Sequence, residues 1–181
     1  MTLRSRREVL RLAGGIAAGA LLGGRSAFAA RPLVADRRLA FLSINTGEHL
    51  RAEYCVDGRY QPDALRAIAH LLRDHRTDAE HAIDPTLLDQ LFTLQRRLDA
   101  TEPYHVVCGY RSPETNAFLR REHRGVAQNS FHIDGRAVDV FLPDRELVKL
   151  RSAALDLAAG GVGYYPRSGF VHLDTGPART W

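Results

Sequence analysis

Apolar residues fall into short runs at both ends of the chain and at helical intervals between them. Residues 39–45 and 49–55 are apolar-rich and flank Thr46-Gly47-Glu48, which predicts a β-hairpin. Across 62–75 the apolar positions Leu65, Ile68, Ala69 and Leu72 recur at the spacing of one helix face. Asp84-Pro85 is a strong helix start, a capping side chain followed by proline, and the helix it opens carries Leu87, Leu88, Leu91, Leu94 and Leu98 on one side. Residues 104–108 read as a strand, and Ser112-Pro113 opens a short helix to about residue 122. The polar stretch 123–135 reads as a loop. Residues 137–142 follow as a buried strand, and 145–158 as a helix with Leu147, Leu150, Ala154 and Leu157 inward, closed by Gly160-Gly161. Two last strands, 162–165 and 170–174, flank the turn Pro166-Arg167-Ser168-Gly169. Strands at both ends with helices between them predict an α+β domain: a small, mostly antiparallel sheet with helices packed on one side.

Composition narrows this further. The 181 residues, 45% hydrophobic and 25% charged, suit one globular domain. The formal net charge of +4 suggests nucleic acid, yet the whole excess lies in residues 1–30, where Arg4, Arg6, Arg7, Arg11 and Arg25 face Glu8 alone. The remaining chain is formally neutral and offers no basic footprint for phosphates, so no nucleic-acid partner is expected. Residues 1–30 instead read as an export signal. Arg6-Arg7 precedes a weakly apolar, glycine-rich run, and Ala27-Phe28-Ala29 fits a small-x-small cleavage site. The pair resembles a twin-arginine signal, which sends a folded protein to the bacterial periplasm. An uncleaved signal would tether the chain to the inner membrane. Residues 31–181 then form the functional domain. In an oxidising compartment Cys55 and Cys108 either pair or remain two buried thiols, and the sequence leaves both open.

Of eight histidines, His70, His75, His81, His49, His105 and His123 have no partner at ligand spacing and read as solvated. His132 and His172 differ. His132 lies at the end of the polar loop, Gly135 permits a tight reversal, and Asp139 follows inside an apolar strand between Val138 and Val140. Burying that carboxylate unpaired would cost several kcal/mol (~). A neighbouring cation removes this cost; the alternative is an aspartate on the wet face of the strand. In the strand from Phe170 to Asp174, alternation puts His172 and Asp174 on one face and turns Val171 and Leu173 to the core. His132, Asp139 and His172 make a three-ligand set of the kind that leaves a fourth zinc position open; the ligand types alone also suit manganese or iron.

His132-x-x-Gly135-x-Ala137-x-Asp139 with the later His172 resembles the zinc peptidases of the D-alanyl-D-alanine carboxypeptidase type, the M15 or LAS-type group. Cys108-Gly109-Tyr110-Arg111-Ser112 is similar to that family's Ser-Gly-Tyr-Arg segment, with cysteine in place of serine. The likeness continues through Gly160-Gly161-Val162-Gly163-Tyr164-Tyr165-Pro166 and Gly176-Pro177-Ala178-Arg179-Thr180-Trp181, the pattern of the murein endopeptidase K-like branch. The resemblance implies a zinc-dependent hydrolase of peptidoglycan peptides, cutting cross-links that include those between two diaminopimelate residues. It implies His132, Asp139 and His172 as zinc ligands and Arg111 as donor to the substrate carbonyl. Other branches carry a general base two or three residues before the last histidine; here those positions are Phe170 and Gly169. Asp174 is therefore expected as the base, or else as the group that orients an imidazole. Ser130 and Gln128 either meet substrate or orient His132, or else satisfy the loop, and Tyr164, Tyr165 and Trp181 either line the cleft or pack. Two other readings stand beside this one: a carboxypeptidase or dipeptidase acting on D-alanyl ends, and a zinc-containing wall-binding module without catalysis.

Overall fold

The computed structural model describes residues 36–122 and 126–181. The expected export signal and His123 lie outside the described residues. The chain opens with β1 (Arg37–Ser43), β2 (His49–Val56) and β3 (Arg59–Tyr60), followed by α1 (Pro62–Leu71) and α2 (Pro85–Arg97). Then come β4 (Tyr104–Cys108), α3 (Pro113–Glu122), β5 (Ala137–Phe141) and α4 (Leu147–Leu157). The chain ends in β6 (Gly161–Tyr165), β7 (Phe170–Asp174) and β8 (Arg179–Thr180).

The strands form one sheet in the order β3-β2-β1-β4-β5-β7-β6-β8. Its pairings are antiparallel except β1 with β4 and β6 with β8. The expected α+β architecture, a mostly antiparallel sheet with helices against it, is the one observed. Alternation divides the sheet's two faces. Leu39, Phe41, Val106, Val138, Val140, Val171 and Leu173 join one buried core with Ile68 and Leu71 of α1, Leu87, Leu88, Leu91 and Leu94 of α2, and Leu150 and Ala154 of α4. That burial is the main driving force for the layer. Asp139 and His172 occupy the alternate positions and so face away from this core.

Details depart from expectation where side chains intervene. The helix expected over 62–75 stops at Leu71, because the following segment is engaged elsewhere. The Leu72 carbonyl accepts from Tyr110 N, and the Asp74 carboxylate accepts from Arg76 N and Ser112 N. The two-residue strands β3 and β8 carry no apolar run and are not visible in the pattern. Cys55 and Cys108 are both free thiols. Cys55 is wholly buried and accepts from Arg37 Nη2 at 3.0 Å, while Arg37 also pairs with Asp89 of α2. Asp89 in turn accepts from Tyr54 and Tyr60, so β1, β2 and β3 are tied to α2 through one polar cluster. No helix among the described residues is long and apolar enough to cross a membrane.

Candidate active site

One rung of the sheet lays out the chemistry. Cys108 on β4 stands opposite Asp139 on β5, Asp139 opposite His172 on β7, and His172 opposite Gly163 on β6. The bulge between Val106 and Cys108 shifts the β4 register by one residue and brings Cys108 into this row. His132 arrives from the loop before β5. That loop turns at Gly135, whose φ of +64° suits glycine, and a Cβ there would stand 2.1 Å from the Ala82 carbonyl oxygen. Arg136 N donates back to the Phe131 carbonyl at 2.9 Å, and Arg111 N donates to the His132 carbonyl at 3.1 Å.

His132 Nδ1 is 2.7 Å from the Gly109 carbonyl, an acceptor, so this nitrogen carries the proton and Nε2 presents its lone pair. His172 Nε2 is 3.0 Å from Asp174 Oδ2, which fixes the opposite tautomer and leaves the Nδ1 lone pair facing the cluster. The two presented nitrogens are 3.2 Å apart, and Asp139 Oδ1 lies 2.8 Å from His172 Nδ1 and 3.3 Å from His132 Nε2. All three side chains are buried. Two lone pairs and a carboxylate oxygen converging at these separations fit a shared cation, since the edges of a tetrahedral zinc site are about 3.3 Å. The expected set His132, Asp139 and His172 is thus brought together, drawn from one loop and two strands. Cys108 stands beside this set: it, His132 and Asp139 each bring a ligand atom within 4.8 Å of the others, a group that does not include His172.

Electrostatics follow the same geometry. Burial pushes the Asp139 carboxyl up, but His132 and His172 outweigh it and hold it well below the usual range. Burial lowers His132, while Asp139 and Cys108 raise it further, for a net upward shift. The Cys108 thiol is pushed up by burial and pulled below its ordinary value by His132 and Arg111.

Asp174 lies across the His172 ring from this cluster. Its Oδ1 accepts from Gly161 N at 3.0 Å, Gly176 N at 2.8 Å and Arg179 Nη1 at 3.0 Å. Its Oδ2 accepts from Arg179 Nη2 at 2.7 Å as well as from His172. Burial raises this carboxyl, yet His172, Arg179 and the two backbone N–H groups hold it well below the ordinary value. A fully buried carboxylate with both oxygens committed is placed to fix an imidazole and poorly placed to collect a proton from the cleft.

The cleft above the rung has a volume of about 440 Å³ and is neither sealed nor flat. Arg111 lines it, with Nη1 3.3 Å from Asn116 Oδ1 and Nη2 3.5 Å from Cys108 Sγ. Tyr165 and Trp181 also line the cleft, whereas Tyr164 packs against the core. Trp181 sits 5.2 Å from the His172 ring and donates from Nε1 to the Tyr165 hydroxyl at 2.7 Å. Ser130 lines the cleft and its Oγ accepts from His132 N at 3.4 Å, while the Gln128 backbone carbonyl accepts from Asn116 Nδ2 at 3.2 Å. Of the histidines read as solvated, His49, His70, His75 and His81 are exposed and His105 is half-buried against Phe141. Cys108 lies beside the site, a placement that the sequence does not indicate. Its strand is legible, but the bulge that turns it inward has no mark in the sequence.

Two imidazoles and a carboxylate thus converge beneath a cleft on the polar face of the sheet. Residues 31–181 match the family model described as peptidoglycan L,D-endopeptidase MepK, and the chain belongs to this family of M15-type peptidases. The peptidoglycan L,D-endopeptidase MepK of Escherichia coli strain K12 is 46% identical over 178 residues, covering 98% of this chain and 97% of its own. The probable peptidoglycan L,D-endopeptidase MepK of Haemophilus influenzae is 43% identical over 179 residues, covering 98% and 96%. Among solved structures, the L-Ala D-Glu endopeptidase ChiX of Serratia marcescens matches 41% of this chain and 63% of its own at 24% identity. Its TM-score of 0.31 is too low to bear on fold or site.

Proposed function

We propose that this chain is a zinc-dependent peptidoglycan endopeptidase that hydrolyses peptide cross-links, including those joining two diaminopimelate residues. The observation that carries the reading is the convergence of His132 Nε2, His172 Nδ1 and Asp139 Oδ1 at 2.8–3.3 Å, with both imidazole tautomers fixed from behind. Family membership and relatives that are named as peptidoglycan L,D-endopeptidases supply the substrate class. His132, Asp139 and His172 would hold the ion. A divalent ion there supplies Lewis acidity, polarising a carbonyl and bringing the pKa of water toward ~7.

The other steps belong to the chain's own groups. Arg111, anchored by Asn116, donates to the scissile carbonyl oxygen as negative charge grows on it. Asp174, neutralised by Arg179, keeps His172 Nε2 protonated and its ring fixed, which makes it a positioning residue. Trp181, Tyr165 and Phe170 give the cleft an apolar wall that supports the peptide. Residues 1–30 act as a twin-arginine signal delivering the folded domain to the periplasm; a signal left uncleaved would tether it to the inner membrane.

The test is digestion of purified cross-linked muropeptides with and without chelator, read by mass spectrometry. Loss of dimer peaks only without chelator supports the proposal. Release of terminal D-alanine with dimers intact would instead identify a carboxypeptidase, and unchanged peaks in both samples a binding module.

A further inference from the structure

Arg179 brings hydrogen-bond donors to the cleft that its own contacts do not use. Its Nη1 and Nη2 grip Asp174 end-on, and Nη1 also donates to the Pro177 carbonyl at 3.1 Å. Nε–H and the second N–H of Nη2 have no partner among the described residues. Those two groups form the side-on fork of a guanidinium, the shape that takes both oxygens of a carboxylate. The side chain is 40% exposed and lines the cleft. Its orientation is built in. Asp174 holds one edge, Cζ sits 5.2 Å from the Phe131 ring and 4.9 Å from the Trp181 ring, and a Cβ at Gly161 would collide with Nη1. Asp174 balances the charge of Arg179 but leaves this fork open. Among the described residues lining the cleft, Asp139 is the one acidic side chain, and it faces the two imidazoles. The cleft therefore offers donors, and no competing free carboxylate, to an anionic peptide.

We propose that Arg179 is a specificity residue that binds the free carboxylate beside the scissile amide of the cross-link. This rests on the endopeptidase reading above. In a link between two diaminopimelate residues, the carbon bearing the amide nitrogen also bears a carboxyl group. Each such bond therefore brings a carboxylate next to the point of cleavage. Arg111 meets the carbonyl side of the bond and Arg179 the nitrogen side. A carboxamide in that position offers the fork one acceptor and an NH₂ group that repels it.

The test uses two dimeric muropeptides, alike except that the carboxyl next to the link is free in one and amidated in the other. The zinc-loaded full chain should cleave the free-carboxylate dimer with kcat/KM about tenfold or more above the amidated one. Arg179→Gln should bring that ratio close to one, whatever the change costs both substrates through Asp174. Arg179→Lys, which keeps the charge beside Asp174 without the fork, should also shrink it. A role confined to holding Asp174 would lower both rates by one factor and preserve the ratio, and that result would overturn the proposal. Equal cleavage of the two dimers by the native protein would also overturn it, with the endopeptidase reading left intact and no folded variant required. Cleavage of neither dimer would overturn the endopeptidase reading and the carboxylate contact with it.

Discussion

His172 is held from both ring nitrogens, and each contact has a different task. Nδ1 faces Asp139 and His132, while Nε2 donates to an Asp174 that Arg179 has already neutralised. Replacing Asp174 with Asn should therefore weaken zinc binding about 10–100-fold in chelator competition. At saturating zinc the variant should retain turnover within about tenfold. A general base would instead cost about 10²–10⁴ in kcat even when the metal is loaded. Arg111→Lys belongs to the other half of the chemistry. With metal content unchanged, kcat should fall about 10²–10³-fold, because a lysine cannot keep the guanidinium's fixed fork toward both Asn116 and the carbonyl. Retained kcat with a raised KM would recast Arg111 as a binding group.

At the scale of elements, the site depends on how neighbouring segments lock together. β6 carries Gly163 beside His172, and a Cβ at that position would stand 2.8 Å from Trp181 Cε2. Gly163→Ala should push the tryptophan off the rung. Trp181 is the sole tryptophan in the chain, so its fluorescence maximum should shift and activity should drop together. An unaltered spectrum would show that the tail does not rest on Gly163. The segment after α1 holds the start of α3 through Asp74. Burial raises this carboxyl, but Thr115, Ser112 and the Arg76 N–H outweigh it and hold its pKa at about 2. A depressed carboxyl stabilises the fold fully above its unfolded value of ~3.9, and the gain is lost as pH falls through about 2. Asp74→Ala should cost about 1–3 kcal/mol at neutral pH, and the gap from the native protein should narrow in acid denaturation. A constant gap across that range would contradict the assignment. These locks explain what the sequence hid. Leu65, Ile68 and Leu72 continue a helical spacing to residue 75, and only the tertiary partners of Leu72 and Asp74 end the helix early. β3 and β8 form because a neighbouring strand offers its edge, with no periodicity of their own.

On the scale of the whole molecule, one sheet does two jobs with alternate residues. The faces carrying Val138, Val140, Val171 and Leu173 bind the helices, and the opposite positions carry Asp139 and His172. That division was legible in the sequence, because a carboxylate between two valines and a histidine between Val171 and Leu173 both break an apolar run at strand spacing. What the sequence did not carry was distance. Cys108 joins the row through a bulge, and Asp174 lands behind His172 where alternation alone had suggested the cleft. The expectation of helices against a mostly antiparallel sheet needed only the apolar pattern, whereas the role of each polar residue needed the register. The central claim, that two imidazoles and one carboxylate hold a divalent ion, is tested most directly by elemental analysis of the purified chain after dialysis. It predicts about one zinc per chain in the native protein and almost none in His132→Ala, with both proteins folded by circular dichroism. A native protein that carries no metal and takes up no added zinc would contradict it.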